Sequence, residues 1–301
     1  MQLHLPSWRL WRTFQKHWWT ILTRTWTGSG DENLALIAAG TAFYAFSSIA
    51  PILAATVLIY GLVATPDVVS DNIRGLFSVL PKDAASLIGG QLDLVVNGSK
   101  GKKGLGLMIA LAIALYGGSK SASSMMTALN VAFEVKERRN FVVVTLTALG
   151  IVAGGVVLLL AGIGSGTLLA ILTNFITGAP AIVLTGIGII GYLILALLAF
   201  TGAAALYRFG PSVPGARFRW GTPGTVLATI MWVGASLGFG IYAANFANYN
   251  ATYGSLGAIV VSLTWLWLSA YAFVLGAELD KQIAKQVDPA SAKVTNDLVD
   301  R

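Results

Sequence analysis

Hydrophobic positions in this chain run on without the polar breaks that a water-facing helix or strand needs. Residues 140–207 hold no Asp, Glu, Lys or Arg across 68 positions, and 220–277 hold none across 58. A third uncharged run covers 34–63, and a shorter one, 105–118, is followed closely by Lys120. Soluble domains place a charge at about one position in four, so these runs are too long to be buried core elements. One bilayer crossing takes roughly 20 apolar residues as a helix. The 140–207 run is long enough for two crossings, with Thr173, Asn174, Thr177, Gly178 and Pro180 supplying the turn. The 220–277 run divides in the same way at 245–254, which holds three Asn and two Tyr.

The pattern predicts an all-α, polytopic membrane protein with six transmembrane helices, at 34–63, 105–128, 141–164, 181–206, 224–244 and 255–276. The second span is the least defined, because beyond Lys120 the segment 121–132 is small and polar. It either ends at Gly118 or continues past Lys120. The membrane domain occupies 34–280, with a polar tail at 281–301. The polar segment 64–104 reads as an extracytoplasmic loop of two short amphipathic helices split at Pro81, leading into a Gly- and Lys-rich stretch.

Residues 1–33 follow another pattern. Trp8, Trp11, Phe14, Trp18 and Trp19 alternate with Arg9, Arg12, Lys16, His17 and Arg24, at spacings that put most aromatics on one helical face. Trp mixed with Lys and Arg suits an amphipathic helix lying in the headgroup region. The alternative is a helix packed on the protein's own cytoplasmic loops.

Composition agrees with a membrane location: charged residues are 11% of the chain, hydrophobic ones 55%, and mean hydropathy is +0.73. The net charge of +7 then points to cytoplasmic loops and anionic headgroups, and nucleic acid is not an expected partner. Of the 20 Lys and Arg residues, 15 fall on the side that holds the N-terminus and 5 on the other, all 5 in the 64–104 loop. Lys and Arg concentrate on the cytoplasmic side, so both termini are expected in the cytoplasm. The first apolar run is too long for the core of a signal peptide, and none is expected.

The inventory limits chemistry. There is no Cys, which excludes disulfides and thiolate sites, and both histidines, His4 and His17, lie in the N-terminal segment. A His/Asp metal centre cannot be assembled from this set, so neither a metal nor another cofactor is expected. No Asp or Glu lies deep in a span, which also disfavours a carboxylate proton relay. Glu278 and Lys120 stand nearest the edges. Lys120 either snorkels to a membrane face or faces an internal cavity.

Other candidate path residues are uncharged. Pro51 removes a backbone donor inside the first span and predicts a kink. Ser47 and Ser48, four and three residues earlier, either satisfy the freed carbonyls or line a cavity beside Tyr44. Near the last span, Asn245, Asn250 and Tyr253 gather amides and a phenol at a helix N-terminus, which suits an anionic or hydroxyl-rich ligand; the plain reading is a turn with Ser255 as its cap. Gly150/Gly154, Gly162/Gly166 and Gly234/Gly238 are each four apart and could bring helices together. Packing within the chain is the first use to expect of them, and a homo-oligomer contact the second.

The segment Ala42-Phe43-Tyr44-Ala45-Phe46-Ser47-Ser48-Ile49-Ala50-Pro51 resembles the first-span signature of the YihY/BrkB family of bacterial inner-membrane proteins. Leu129-Asn130, Tyr207-Arg208-Phe209-Gly210-Pro211, Pro223-Gly224, Tyr253-Gly254-Ser255-Leu256-Gly257 and Gly276-Ala277-Glu278-Leu279 follow in the family's order. The resemblance spans about 30–285 and implies six spans in the bacterial cytoplasmic membrane. It adds Asn130 to the candidate path and implies links to serum resistance and envelope lipid export. The family has also carried the label ribonuclease BN, for which this sequence has no metal ligands. The expectation is an inner-membrane transporter or lipid- or amphiphile-handling protein, not an enzyme, with membrane lipids as partners. A non-catalytic scaffold is the alternative, and a tRNA-processing ribonuclease is disfavoured.

Overall fold

The computed structural model describes the backbone of residues 7–63, 100–175, 180–212, 221–246 and 250–287, without the side chains of 7, 50–63, 100–111, 113–115, 159–160, 163, 167, 170, 174–175, 181, 243–246, 250–256 and 258. The described residues form helices and turns and no strand. In chain order the helices are α1 (Ser7–Asp31), α2 (Leu34–Val63), α3 (Lys100–Ala132), α4 (Phe141–Phe175), α5 (Ala181–Phe209), α6 (Pro223–Phe246) and α7 (Asn250–Val287). The expected loop helices of 64–104 fall almost wholly outside the described residues, as does the polar tail from 288 onward.

Helix ends follow from local chemistry. Asn140 caps α4, its Oδ1 accepting from the Val143 N–H at 2.9 Å. Thr222 caps α6 in the same way, accepting from the Thr225 N–H at 3.1 Å, with Pro223 at the first helical position, where its missing donor costs nothing. The α3 helix ends in a left-handed turn: the Glu134 N–H donates to Val131 O and the Val135 N–H to Asn130 O. Its left-handed position, φ 53°, is held by Glu134 where glycine is the usual residue.

Among the described residues, four helices carry a stretch long and apolar enough to cross a membrane: Phe141–Leu158, Ile182–Phe209, Pro223–Tyr242 and Ile259–Val287. Leu34–Ile49 is a shorter apolar helix, and α2 runs on without interruption through Pro51. The α3 helix continues without a break past Lys120 to Ala132. Its second half is built largely of small residues. Ala128 and Ala132 are fully buried, and they let α3 lie close to its neighbours.

Each helix from α2 to α6 packs on the next in sequence, and α7 packs on α6 and closes back on α2, with α3 also touching α7. The α1 helix lies along α7, burying Leu10 and Ile21 against Leu279 and Ile283. Its aromatics do not share one face: Trp11 and Phe14 turn inward, while Trp8, Trp18, Trp19 and Trp26 are exposed. The helix loses phase at His17 (φ −130°, ψ 26°), which splits the expected stripe. So α1 packs on the protein with one side and presents tryptophan with the other.

Candidate functional site

Polar side chains gather at the end of the bundle where α7 leaves its apolar stretch. Here α6 and α7 meet almost backbone to backbone. A Cβ on Gly224 would fall on the Gly276 carbonyl, and one on Gly276 would fall on the Tyr207 hydroxyl and the Gly224 carbonyl. The contact lets Asp280 Oδ1 accept from the Gly224 N–H at 2.8 Å, filling one of the open donors at the start of α6 from another helix. The Tyr207 hydroxyl donates to Phe273 O at 2.5 Å, and Trp11 Nε1 donates to Gly221 O at 2.7 Å. Thus α5 and α6 are tied to about two turns of α7, and α1 is tied to the residue just before the α6 cap.

Beside Asp280 on the same helix, Lys281 is fully buried, as is Glu278. The Lys281 ammonium contacts Glu278 Oε2 at 2.6 Å, Glu134 Oε1 at 3.3 Å and Glu32 Oε1. Lys285 reaches the same Glu134 oxygen at 2.6 Å, and Gln282 Nε2 donates to Glu278 Oε1 at 2.6 Å. Glu32 comes from the α1–α2 turn and Glu134 from the left-handed turn after α3, so residues far apart in sequence close on one ammonium. Gly28 leaves room for this: a Cβ there would lie 2.5 Å from Glu278 Oε1. Burial pushes the Glu32 carboxyl up to about 7, with Glu278 and Glu134 adding to the rise and Lys281 opposing it. For Glu134, burial acts the same way, but hydrogen bonding to Lys285 and the charges of both lysines outweigh it and hold the carboxyl below its usual range.

Asn130 stands beside this network and does structural work. Its Oδ1 accepts from the Ser212 N–H at 2.8 Å and its Nδ2 donates to Glu137 Oε2 at 3.0 Å. Arg139 holds Glu137 by two parallel bonds, 2.8 and 2.7 Å, and also donates to the carbonyls of Phe209 (3.1 Å) and Gly210 (2.7 Å). The guanidinium thereby satisfies open carbonyls at the end of α5. These bonds from Arg139 hold the Glu137 carboxyl down at about 2.

A cleft of about 270 Å³ opens deeper in the bundle, bounded by α2, α3, α4, α5 and α7. Its walls are mainly apolar or small (Ala42, Ala45, Ala122, Met125, Ile151, Leu266, Ala270), with three hydroxyls, Thr41, Ser121 and Ser269. Thr41 Oγ1 also lies 3.1 Å from Ser124 Oγ. A second, more open groove of about 480 Å³ runs under α1, between Trp19, Leu22 and Trp26 on one side and Leu227, Met231 and Leu275 on the other.

The sequence-derived candidates separate. Glu278 and Asn130 belong to the polar end, joined through Glu134, Glu137 and their partners. Ser48 is buried and donates to Ala45 O at 2.7 Å, so its hydroxyl does not serve the Ser47 carbonyl that Pro51 frees. Tyr44 and Ser47 are exposed, Tyr44 edge-on to Phe43. Lys120 is exposed with its ammonium 5.5 Å from the Tyr116 ring centroid. The side chains of Pro51, Asn245, Asn250 and Tyr253 lie outside the described residues. Glu32, Glu134, Glu137, Arg139, Asp280, Lys281 and Lys285 were not among the candidates. Their signal was weak: a Glu–x–x–Lys pair of opposite charge directly after an apolar span, at Glu278 and Lys281.

Comparison with known proteins locates this arrangement. A family model described as Virulence factor BrkB matches residues 25–297. A putative ribonuclease-like protein, YfkH, of Bacillus subtilis is 30% identical over 221 residues, covering 72% of this chain and 79% of that protein. The UPF0761 membrane protein RSc1559 of Ralstonia nicotianae is 27% identical over 257 residues, 83% of this chain; the match spans 56% of the Ralstonia protein's length. A UPF0761 membrane protein of Xanthomonas oryzae is 40% identical over a shorter stretch of 68 residues, 23% of this chain and 16% of that protein. No solved structure matches the chain significantly.

Proposed function

The chain belongs to the Virulence factor BrkB family of membrane proteins, and from that premise we propose that it binds and moves a lipid or lipid-like amphiphile in the bacterial inner membrane. The observation that carries this reading is the cleft between α2, α3, α4, α5 and α7: apolar walls with three hydroxyls accept an acyl chain and hydrogen-bond a headgroup without burying a charge. In this reading α2 to α7 are six spans, both termini face the cytoplasm, and the exposed tryptophans of α1 lie among headgroups. Membrane lipids are then the natural partners, with a second copy of the chain the next. The reading is non-enzymatic, because the sequence has no Cys and only His4 and His17 as imidazoles.

The scaffold alternative rests on the polar end, whose closely packed helices suit a fixed frame. Proteoliposomes holding fluorescent phospholipids, anionic or zwitterionic, separate the two. Wild type should raise the fraction of label reached by an external quencher above that of empty liposomes. Filling the cleft with Ala45→Leu and Ser269→Leu should abolish the rise with little change in thermal melting. Label exposure equal to empty liposomes for both lipid types would leave the scaffold reading in place. The orientation has its own test: Lys136→Cys, on the exposed turn after α3, should react in intact cells with membrane-permeant thiol reagents only.

A further inference from the structure

We propose that the ion network around Lys281 is a proton-binding site, holding one exchangeable proton on Glu32, and that this proton is the coupling ion for amphiphile movement. The coupling half rests on the transport reading above; the binding half does not. Charge balance is the first argument. Three carboxylates close on two ammoniums, those of Lys281 and Lys285, so the site carries one negative charge more than it neutralises. Glu278 and Lys281 are fully buried, and a net charge kept from water is costly. Binding one proton removes it.

Neighbouring groups do not supply the missing positive charge. Asp280 on α7 adds a carboxylate and accepts the Gly224 N–H. Arg24 on α1 donates to Gln286 Oε1 at 3.2 Å, and Arg139 is engaged with Glu137 and the end of α5. Arg208 on α5 adds one positive charge and Asp280 one negative, so the excess of one negative charge stands, and Tyr207 is bound to Phe273 O; α6 brings Gly224, Thr225 and Ala228, which carry no charge. Asp31 beside Glu32 is exposed and acidic.

A second observation singles out Glu32. Its Oε1 meets Lys281, while its Oε2 is buried and makes no hydrogen bond among the described residues. A carboxylate oxygen without a donor is the position where a proton is most favoured, and burial raises this carboxyl to about 7. Placement gives the proton a mechanical consequence. Glu32 lies in the turn that joins α1 to α2, and Ala42 and Ala45 of α2 line the cleft. With Glu32 ionised, the turn is bound to α7 through Lys281; with Glu32 protonated, that attraction falls and α2 is freer to shift against α7.

Infrared difference spectra of the purified protein in lipid nanodiscs, stepped through neutral pH, read the site without any transport assay. A protonated-carboxyl band should titrate near pH 7, disappear in Glu32→Gln, and persist in Glu137→Gln. Lys285→Met, at the half-buried rim of the network, removes one positive charge and should move the midpoint to higher pH, which keeps the test open even if Glu32→Gln folds poorly. A spectrum with no such band, or a band unchanged in both Glu32→Gln and Lys285→Met, overturns the site. For the coupling, a pH gradient across proteoliposomes should accelerate lipid movement in wild type and not in Glu32→Gln. Equal acceleration in both overturns coupling alone. No lipid movement in any variant, with the band present, overturns the transport reading and leaves the proton site standing.

Discussion

The α4–α5 hairpin and the polar end of α7 belong to one chain but are held by different forces. In the hairpin, 6% of the Phe141–Leu158 stretch and 6% of the Ile182–Phe209 stretch is buried inside the protein, against 28% for Ile259–Val287. Val157, Leu168, Ile182, Ile189 and Leu193 face outward. Lipid tails are as apolar as these side chains, so they need no protein partner, and the helices stand on their own backbone hydrogen bonds. At the polar end the reverse holds. Gly224 and Gly276 bring backbones together, and Lys281 draws on three carboxylates. Fold specificity is therefore concentrated in a few residues at one end, while the outer helices tolerate change.

Removing the central cation should test this contrast most severely. Lys281→Met keeps the side chain's length but strands buried carboxylates, a loss of about 3–5 kcal/mol for a broken buried pair. The variant should fail to accumulate as folded protein, measured by size-exclusion profile and thermal melting in detergent. Recovery of folded protein by combining Lys281→Met with Glu278→Gln would confirm charge as the cause. A single variant that melts like wild type would remove the network from any account of the fold.

Glycine substitutions sharpen the comparison at the next level. Gly224→Ala drives a methyl into the Gly276 carbonyl and the Asp280 carboxylate, and overpacking typically costs about 1–3 kcal/mol. Gly154→Ala on α4 meets nothing within 4 Å and replaces a poor helix former with the best, a gain of up to about 1 kcal/mol. Opposite shifts in melting temperature are expected; shifts of the same sign would mean that both glycines serve the same purpose.

These two glycines also show where sequence reading succeeded and failed. The charge-free runs located α4, α5, α6 and the apolar part of α7, because a bilayer imposes a composition that no soluble core shares. The four-apart glycine pairs suggested packing ridges, yet Cβ atoms at Gly150, Gly154, Gly166, Gly234 and Gly238 would meet nothing within 4 Å. The closest contacts fall at Gly28, Gly210, Gly224 and Gly276, which share no spacing because they sit on or at the ends of four different helices. The ion network was hidden for a related reason. Glu32 and Glu134 look like ordinary loop charges until the helix ends come together, and only α7 carries the opposing lysines. The one local hint in the sequence was the Glu–x–x–Lys pair at Glu278 and Lys281, directly after an apolar run.

Stability against pH gives a smaller and two-sided effect. Glu32 has a raised carboxyl, so the folded protein keeps a proton that the unfolded chain releases above about 4.5; stability falls as pH rises from about 4.5 to about 7, then levels. Glu137, lowered to about 2, contributes stability that is full above 4.5 and lost as pH falls toward 2, and Glu134 acts in the same direction. Melting temperature should therefore peak in mildly acid buffer. Glu32→Gln should flatten the neutral side of the curve and Glu137→Gln the acid side. A wild-type curve that climbs steadily from pH 5 to pH 8 would contradict the burial assigned to Glu32.

The smallest effect belongs to the hairpin. Leu193 on α5 is well exposed. In a soluble core, truncating a leucine leaves a cavity and costs about 2–5 kcal/mol. Here the neighbouring medium is lipid, which flows into the space, so only a few surface contacts are lost. Leu193→Ala in lipid nanodiscs should melt within about 0.5 kcal/mol of wild type, the range of substitutions away from structural features. Leu279→Ala is the matched control: the same truncation at a fully buried position against Leu10, Ile21 and Ile283 on the α1–α7 face. It should show the cavity cost. If Leu193→Ala were the more damaging of the two, the outer face of α5 would be buried against protein in the membrane, and a second copy of the chain covering the hairpin would be the occupant to seek by cross-linking.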